Sequence, residues 1–246
     1  MTEKEETKQQ QEGNETTPQQ LTVENNSHVL VDYTIKIKDT GEVVDTTLEE
    51  EAKKAGIFDA SRVYEPRLVV PGKGMLLQAI EEQLVGMAES SSKTFDIPPE
   101  KAFGHRDASK IKTIPLRKFK DLDTPLTVGA RVVIDGKEGI VRTIGSGRVQ
   151  VDFNHYLAGK TLECSITVRK IITDELEKIK AIIHNRIPDV EIQKFEIKLE
   201  KPTVSIKLPE DAFLLPALQI NKRVIAREVK EAVENVEKII FCEEYA

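Results

Sequence analysis

The 246-residue chain contains no tryptophan, two cysteines, four histidines and only 5% aromatic residues. Each shortage removes a class of function. Cys164 stands inside an apolar alternation and Cys242 near the end, with no CxxC or Cys/His spacing, so neither a disulfide framework nor a zinc site is expected. His28, His105, His155 and His184 lie far apart in sequence, which argues against any metal centre. No apolar run approaches the roughly 18 to 20 residues that would cross a bilayer, and the opening segment MTEKEETKQQQEGNETTPQQ has no apolar signal region. A cytoplasmic protein without membrane contact is therefore expected. Acidic residues outnumber basic ones, 42 to 36, which gives no polyanion-binding bias, so nucleic acid is not an expected partner. Gly72-Lys73-Gly74 lacks the spacing of a phosphate loop and reads as a strand-to-helix turn.

What is present divides the chain into an α+β arrangement of several units. Residues 1–27 are rich in Glu, Gln, Thr and Asn and nearly free of large apolar groups, the composition of a disordered tail. From Val29 the pattern becomes strictly alternating, with Val29, Val31, Tyr33, Ile35 and Ile37 on one face and a turn at Asp39-Thr40-Gly41 leading into a second strand, a β-hairpin. Leu68-Val69-Val70 is a further strand. Met75 to Leu84 then carries Leu76, Leu77, Ile80 and Leu84 on one helical stripe that Gly86 ends. Ser92 to Ile97 is a strand stopped by Pro98-Pro99. Residues 113–153 read as a small meander of hairpins, and Leu162, Cys164, Ile166 and Val168 alternate in a long strand. From Thr173, taken as N-cap, the period turns helical, and the order to the end is αββαβ, a separate α+β unit.

Five motifs in order carry a resemblance: Val31-Asp32-Tyr33, Val43-Val44-Asp45, Gly72-Lys73-Gly74-Met75-Leu76-Leu77, Ile97-Pro98-Pro99-Glu100-Lys101-Ala102-Phe103-Gly104, and Asn154-His155-Tyr156-Leu157-Ala158-Gly159-Lys160. With them the chain resembles the FKBP-type peptidyl-prolyl cis/trans isomerases, in particular the SlyD-like and long archaeal members with an inserted flap. The resemblance implies an isomerase domain made of 28–112 and 154–172: a half-open antiparallel sheet wrapped on one helix, with no cofactor. It implies an inserted β-rich flap over 113–153 and leaves 173–246 as the C-terminal α+β domain. The expected clients are unfolded or proline-containing polypeptides.

Rotating an X-Pro amide breaks its resonance against a barrier of about 18–20 kcal/mol and needs no covalent bond or proton transfer. An apolar site favours the twisted amide, which has lost charge separation. Carried over by position, the catalytic residues are Tyr33, Asp45, Leu77 and Phe103, and the substrate-binding ones are Val44, Val69, Leu76, Ile80 and Cys164. The resemblance further implies that the Leu77 N–H binds a substrate carbonyl and that Asp45 and Tyr33 form a hydrogen-bonded pair. Phe103 stands where many relatives have tyrosine, and Cys164 where an aromatic residue is common.

The insertion carries nine Lys or Arg against five Asp or Glu between Lys110 and Phe153. It also carries Val132, Val133, Ile134, Ile140, Val141 and Ile144, more apolar surface than so short a meander easily buries, some of which is expected to meet clients. Two functions of different class follow. One is an isomerase whose flap raises local client concentration; the other is a binding chaperone with a degenerate, weakly active prolyl pocket. The C-terminal domain, with twelve basic and fifteen acidic residues, suits protein association, and a homodimer through it stands beside client binding and docking to a larger machine.

Overall fold

The computed structural model describes residues 21–119 and 126–245. The alternation that begins at Val29 forms strand β1 (His28–Ile37), whose five inward residues are all at most 7% exposed. The Asp39–Gly41 turn returns the chain as β2 (Val43–Thr46), with Asp45 opposite Ile35. Helix α1 (Glu49–Lys54) has no counterpart in the sequence expectation. It is too short for an apolar stripe and buries only Ala52. Three glutamates at its positive end and a Glu49–Lys53 pair one turn apart support it instead. Strand β3 (Arg67–Val69) pairs with the start of β1.

Helix α2 (Gln78–Leu84) starts three residues later than the apolar stripe predicts. Gly72 and Gly74 hold φ of 92° and 68°, the left-handed region, so the turn that follows β3 extends to Leu77. Strand β4 (Ser92–Ile97) follows and ends at Pro98. The chain then builds β5 (Ile111–Pro115), β6 (Arg131–Ile134), β7 (Lys137–Gly145) and β8 (Arg148–Asp152), an antiparallel four-stranded sheet in the order β5-β8-β7-β6. The first strand begins at Ile111, ahead of the expected 113, because Ile111 pairs with Asp152. At the base of this sheet the Phe153 N–H donates to the Lys110 carbonyl at 3.0 Å, so the two connections to the rest of the chain lie side by side.

Strand β9 (Leu162–Ile172) crosses the whole of β1 antiparallel and completes a five-stranded sheet, β2-β1-β9-β4 with β3 beside β1. Its inward residues and those of β1 close over Ile80 and Leu84 of α2 in one core. At roughly 1.5–3 kcal/mol for each fully buried aliphatic side chain, this packing is the main support of the sheet. From the opposite face, Leu68 and Ile172 belong to a second core with the C-terminal elements. These are α3 (Glu175–Arg186), β10 (Glu196–Glu200), β11 (Thr203–Lys207), α4 (Leu218–Ala232) and β12 (Lys238–Cys242), with β10-β11-β12 forming a three-stranded sheet. Asp174, not Thr173, caps α3: its carboxylate accepts from the Glu177 N–H at 2.8 Å, a charged acceptor at the positive helix end.

The tail expected over 1–27 needs one correction. Residues 1–20 lie outside the described residues, but Val23 is 1% exposed and exchanges backbone hydrogen bonds of 2.8 Å with Gly86 and Met87. One valine seated on the core outweighs the polar composition around it. Among the described residues, no helix is long and apolar enough to cross a membrane.

Candidate active site

The pleat of β1 turns the Tyr33 ring into the core, where it is 1% exposed, and leaves its hydroxyl at the rim. β2, one strand over, brings Asp45 to it, and the hydroxyl donates to Asp45 Oδ2 at 2.8 Å. Burial and then the nearby Asp45 carboxylate raise the Tyr33 pKa, so the phenol keeps its proton and remains a donor. Two cations complete the group. Arg62 Nη1 donates to Asp45 Oδ1 at 2.6 Å, and Arg67 Nη1 donates to the Tyr33 oxygen at 3.3 Å. Sequence reasoning did not single out either arginine.

Beside this pair the structure gathers the apolar residues expected at the site. Val69, Ile80 and Cys164 are buried in the same core as Tyr33, and Val44, Leu76 and Leu77 are half-buried against it. Cys164 sits opposite Ile35 of β1 and Phe95 of β4, wholly buried, and burial pushes its thiol up to about 12. Its thiol is thus neutral and as deeply buried as Val69 and Ile80.

The turn carrying Leu76 and Leu77 is fixed by Glu81, a carboxylate only 4% exposed in α2. Glu81 Oε2 accepts from the Gly72 and Gly74 N–H groups at 2.9 and 3.2 Å, and Oε1 accepts from the Leu76 N–H at 2.9 Å. Three backbone donors satisfy a buried charge and hold the turn against the helix. Among the described residues the N–H of Leu77, the next in line, has no acceptor within the chain.

Phe103 engages a second aromatic group. Its ring is 38% exposed and stacks on His155, with centroids 4.4 Å apart and planes 3° from parallel. Tyr156 tilts against His155 with centroids 5.0 Å apart, and a cavity there is bounded by Arg131, Glu138 and Ile140 of the inserted sheet. The base of that sheet is anchored by Asp152, which takes Arg106 from the preceding loop, Arg142 from β7 and the main-chain N–H of Asn154. Among the described residues, no three metal-ligating side chains come together.

A buried phenol paired with a carboxylate, an apolar wall and an unengaged amide bring together no nucleophile with a base. Residues 19–118 match the family description FKBP-type peptidyl-prolyl cis-trans isomerase, 112–157 match "FKBP26, IF domain" and 175–246 match "FKBP26_C-terminal". The chain is 37% identical to the short-type peptidyl-prolyl cis-trans isomerase of Methanocaldococcus jannaschii over 155 residues, 63% of this chain and 98% of that protein. It is 32% identical to the FKBP-type 16 kDa peptidyl-prolyl cis-trans isomerase of Escherichia coli over 61% of this chain and 93% of that protein. To the isomerase SlyD of Treponema pallidum it is 28% identical, over 61% of this chain and 79% of that protein. The chain belongs to the FKBP-type peptidyl-prolyl cis-trans isomerase family.

Proposed function

We propose that X-Pro bonds are turned over at the Tyr33–Asp45 pocket and that the sheet from Ile111 to Asp152 is a flap that holds polypeptide clients near it. The observation that carries the catalytic part is the 2.8 Å bond between the Tyr33 hydroxyl and Asp45, set beside Leu76 and Leu77 on a turn that Glu81 makes rigid. The proline ring is received by Val44, Val69, Leu76 and Ile80, and the Leu77 N–H takes the carbonyl of the substrate. The pocket disfavours the planar, more strongly hydrated amide relative to the twisted one. Phe103 closes the outer side against His155.

The flap part is supported by what its sheet leaves uncovered. Val132, Ile134 and Val141 fill a core of their own, whereas Val128, Val133 and Ile144 are 65%, 62% and 39% exposed. Exposed aliphatics on a net basic insertion suit unfolded chains that carry apolar and acidic residues. A second reading, a holding chaperone with a weak prolyl pocket, is favoured by one observation: Phe103 offers no hydroxyl and turns to His155. The C-terminal unit is proposed to join two copies of the chain, because Leu214, Ile220 and Tyr245 are 96%, 66% and 76% exposed; sedimentation of an Ile220→Glu variant as a monomer tests this.

Replacing 111–152 by a short turn between Lys110 and Phe153 tests the division of labour, since those residues are already hydrogen-bonded. Isomerisation of a short X-Pro peptide is expected to survive and acceleration of proline-limited refolding of a whole protein to fall by more than tenfold. A folded variant that loses both equally, or neither, overturns the flap assignment. Failure on the short peptide by the full chain itself selects the second reading.

A further inference from the structure

A cleft of about 750 Å³ separates the edge strand β3 and the loop before it from helix α3. Its volume falls within the about 300–1,000 Å³ of sites that take small molecules or short peptide segments. Two of its residues belong equally to the prolyl pocket, because Arg62 holds Asp45 and Arg67 binds the Tyr33 hydroxyl. The cleft thus borders the Tyr33–Asp45 pair through these two arginines at the edge of β3, a strand whose sole partner among the described residues is β1. Glu65 and His184, 2.6 Å apart, tie the loop to α3 across it and set its width.

The walls combine apolar ground with two basic side chains that lack an ion-pair partner. Leu30, Leu68, Ala181 and Ile192 supply the apolar part. Lys170 is paired with Glu177, and Arg62 with Asp45. Arg67 and Lys180 form no ion pair among the described residues; of the acids in the wall, Asp189 forms none either, and Glu65 meets only the imidazole of His184. An extended chain lying here meets two free cations over an aliphatic floor.

We propose that this cleft is a second subsite for the substrate polypeptide: the stretch next to the X-Pro bond leaves the pocket past Arg62 and Arg67 and lies under α3, with an acidic side chain taken up by Arg67 and Lys180. The inference rests on the pocket at Tyr33 and Asp45 being the place of isomerisation. It makes the C-terminal unit part of substrate selection, since α3 supplies one wall. Charge-assisted contacts formed only by a longer substrate act on its affinity, so the effect falls mainly on KM.

The test uses the full chain, a blocked tetrapeptide with one X-Pro bond, and two twelve-residue peptides with that tetrapeptide at their centre and arms bearing either glutamate or lysine. Exchange NMR reads isomerisation without a protease. The glutamate peptide is expected to exceed the lysine peptide in kcat/KM by about tenfold at low salt, equivalent to about 1.4 kcal/mol. The preference is expected to shrink as salt rises. In Lys180→Glu, and in the milder Lys180→Gln, each scaled to its own tetrapeptide value, the preference is expected to fall within about twofold. Equal rates for the two long peptides in the parent chain, or a preference that persists in both variants, overturns the subsite and leaves the pocket standing. A tetrapeptide rate indifferent to Asp45→Ala removes the pocket itself, and the subsite with it.

Discussion

Protonating Asp152 is expected to loosen the hinge between the inserted sheet and the isomerase core. Its side chain is 1% exposed, and burial alone would push the carboxyl up. The opposing contacts win: the Asn154 N–H at 3.0 Å, the Asn154 amide at 2.7 Å, Arg142 at 3.1 Å and Arg106 bring it down from the ordinary 3.8 to about 2. Because the folded value lies below the unfolded one, the stabilisation is complete above about pH 4 and is lost as pH falls through about 2. A depression of just under two units corresponds to about 2–3 kcal/mol at about 1.4 kcal/mol per unit. Asp152→Asn removes the same charge at neutral pH and leaves two arginines facing an amide. Breaking a buried pair costs about 3–5 kcal/mol, but these guanidinium groups are 42% and 41% exposed, so water recovers part of it. An expected loss of about 2–3 kcal/mol in local stability accelerates amide hydrogen exchange in β7 and β8 by about 30- to 150-fold at pH 7. The carboxyl carbon of Asp152 is expected to titrate near 2 in the parent chain. A midpoint at or above 3.8, or unchanged exchange in the variant, refutes the hinge.

Other consequences follow from single side chains. Asp45→Ala leaves Tyr33 and Arg62 without their acceptor, and is expected to lower kcat/KM on a short X-Pro peptide by about tenfold, with a change in urea midpoint equivalent to about 1 kcal/mol or less, because Asp45 is half-exposed. Phe103→Tyr adds a hydroxyl at an exposed ring and is expected to raise affinity for a proline peptide by a fewfold; no gain in a folded variant moves Phe103 out of the site. Gly139→Ala would set a Cβ 2.6 Å from Val151 Cγ1 and 2.9 Å from the Phe153 ring, and the overpacking is expected to cost about 1–3 kcal/mol. Thermal unfolding followed by circular dichroism reads that loss, and an unchanged transition contradicts the packing.

Much of the isomerase sheet was legible because its signals are local. The period of two from Val29 to Ile37 determines which side chains meet α2, and the glycines before Met75 mark the turn. Tyr33 and Asp45 were legible through their motifs and are hydrogen-bonded as expected. Arg62 and Arg67 were not, since they reach Asp45 and Tyr33 across 17 and 34 residues from a loop and an edge strand that carry no periodic signal. Glu81 escaped notice for the opposite reason: an acid on a helix reads as solvent-facing, and only the folded turn supplies the three N–H groups that bury it. The insertion's apolar run overstated its surface, because β-pleating sends Val132 and Ile134 inward and Val133 outward.

The most direct test of the pocket is an amide and methyl NMR titration of the full chain with a blocked Ala-Leu-Pro-Phe peptide. The account predicts the largest shifts at the Leu77 N–H, at Val44, Asp45, Leu76 and Ile80, and in the Tyr33 ring, with small ones in β6, β7 and the C-terminal sheet. Shifts centred on the inserted sheet or on β10–β12, with Leu77 and Tyr33 unmoved, would contradict it.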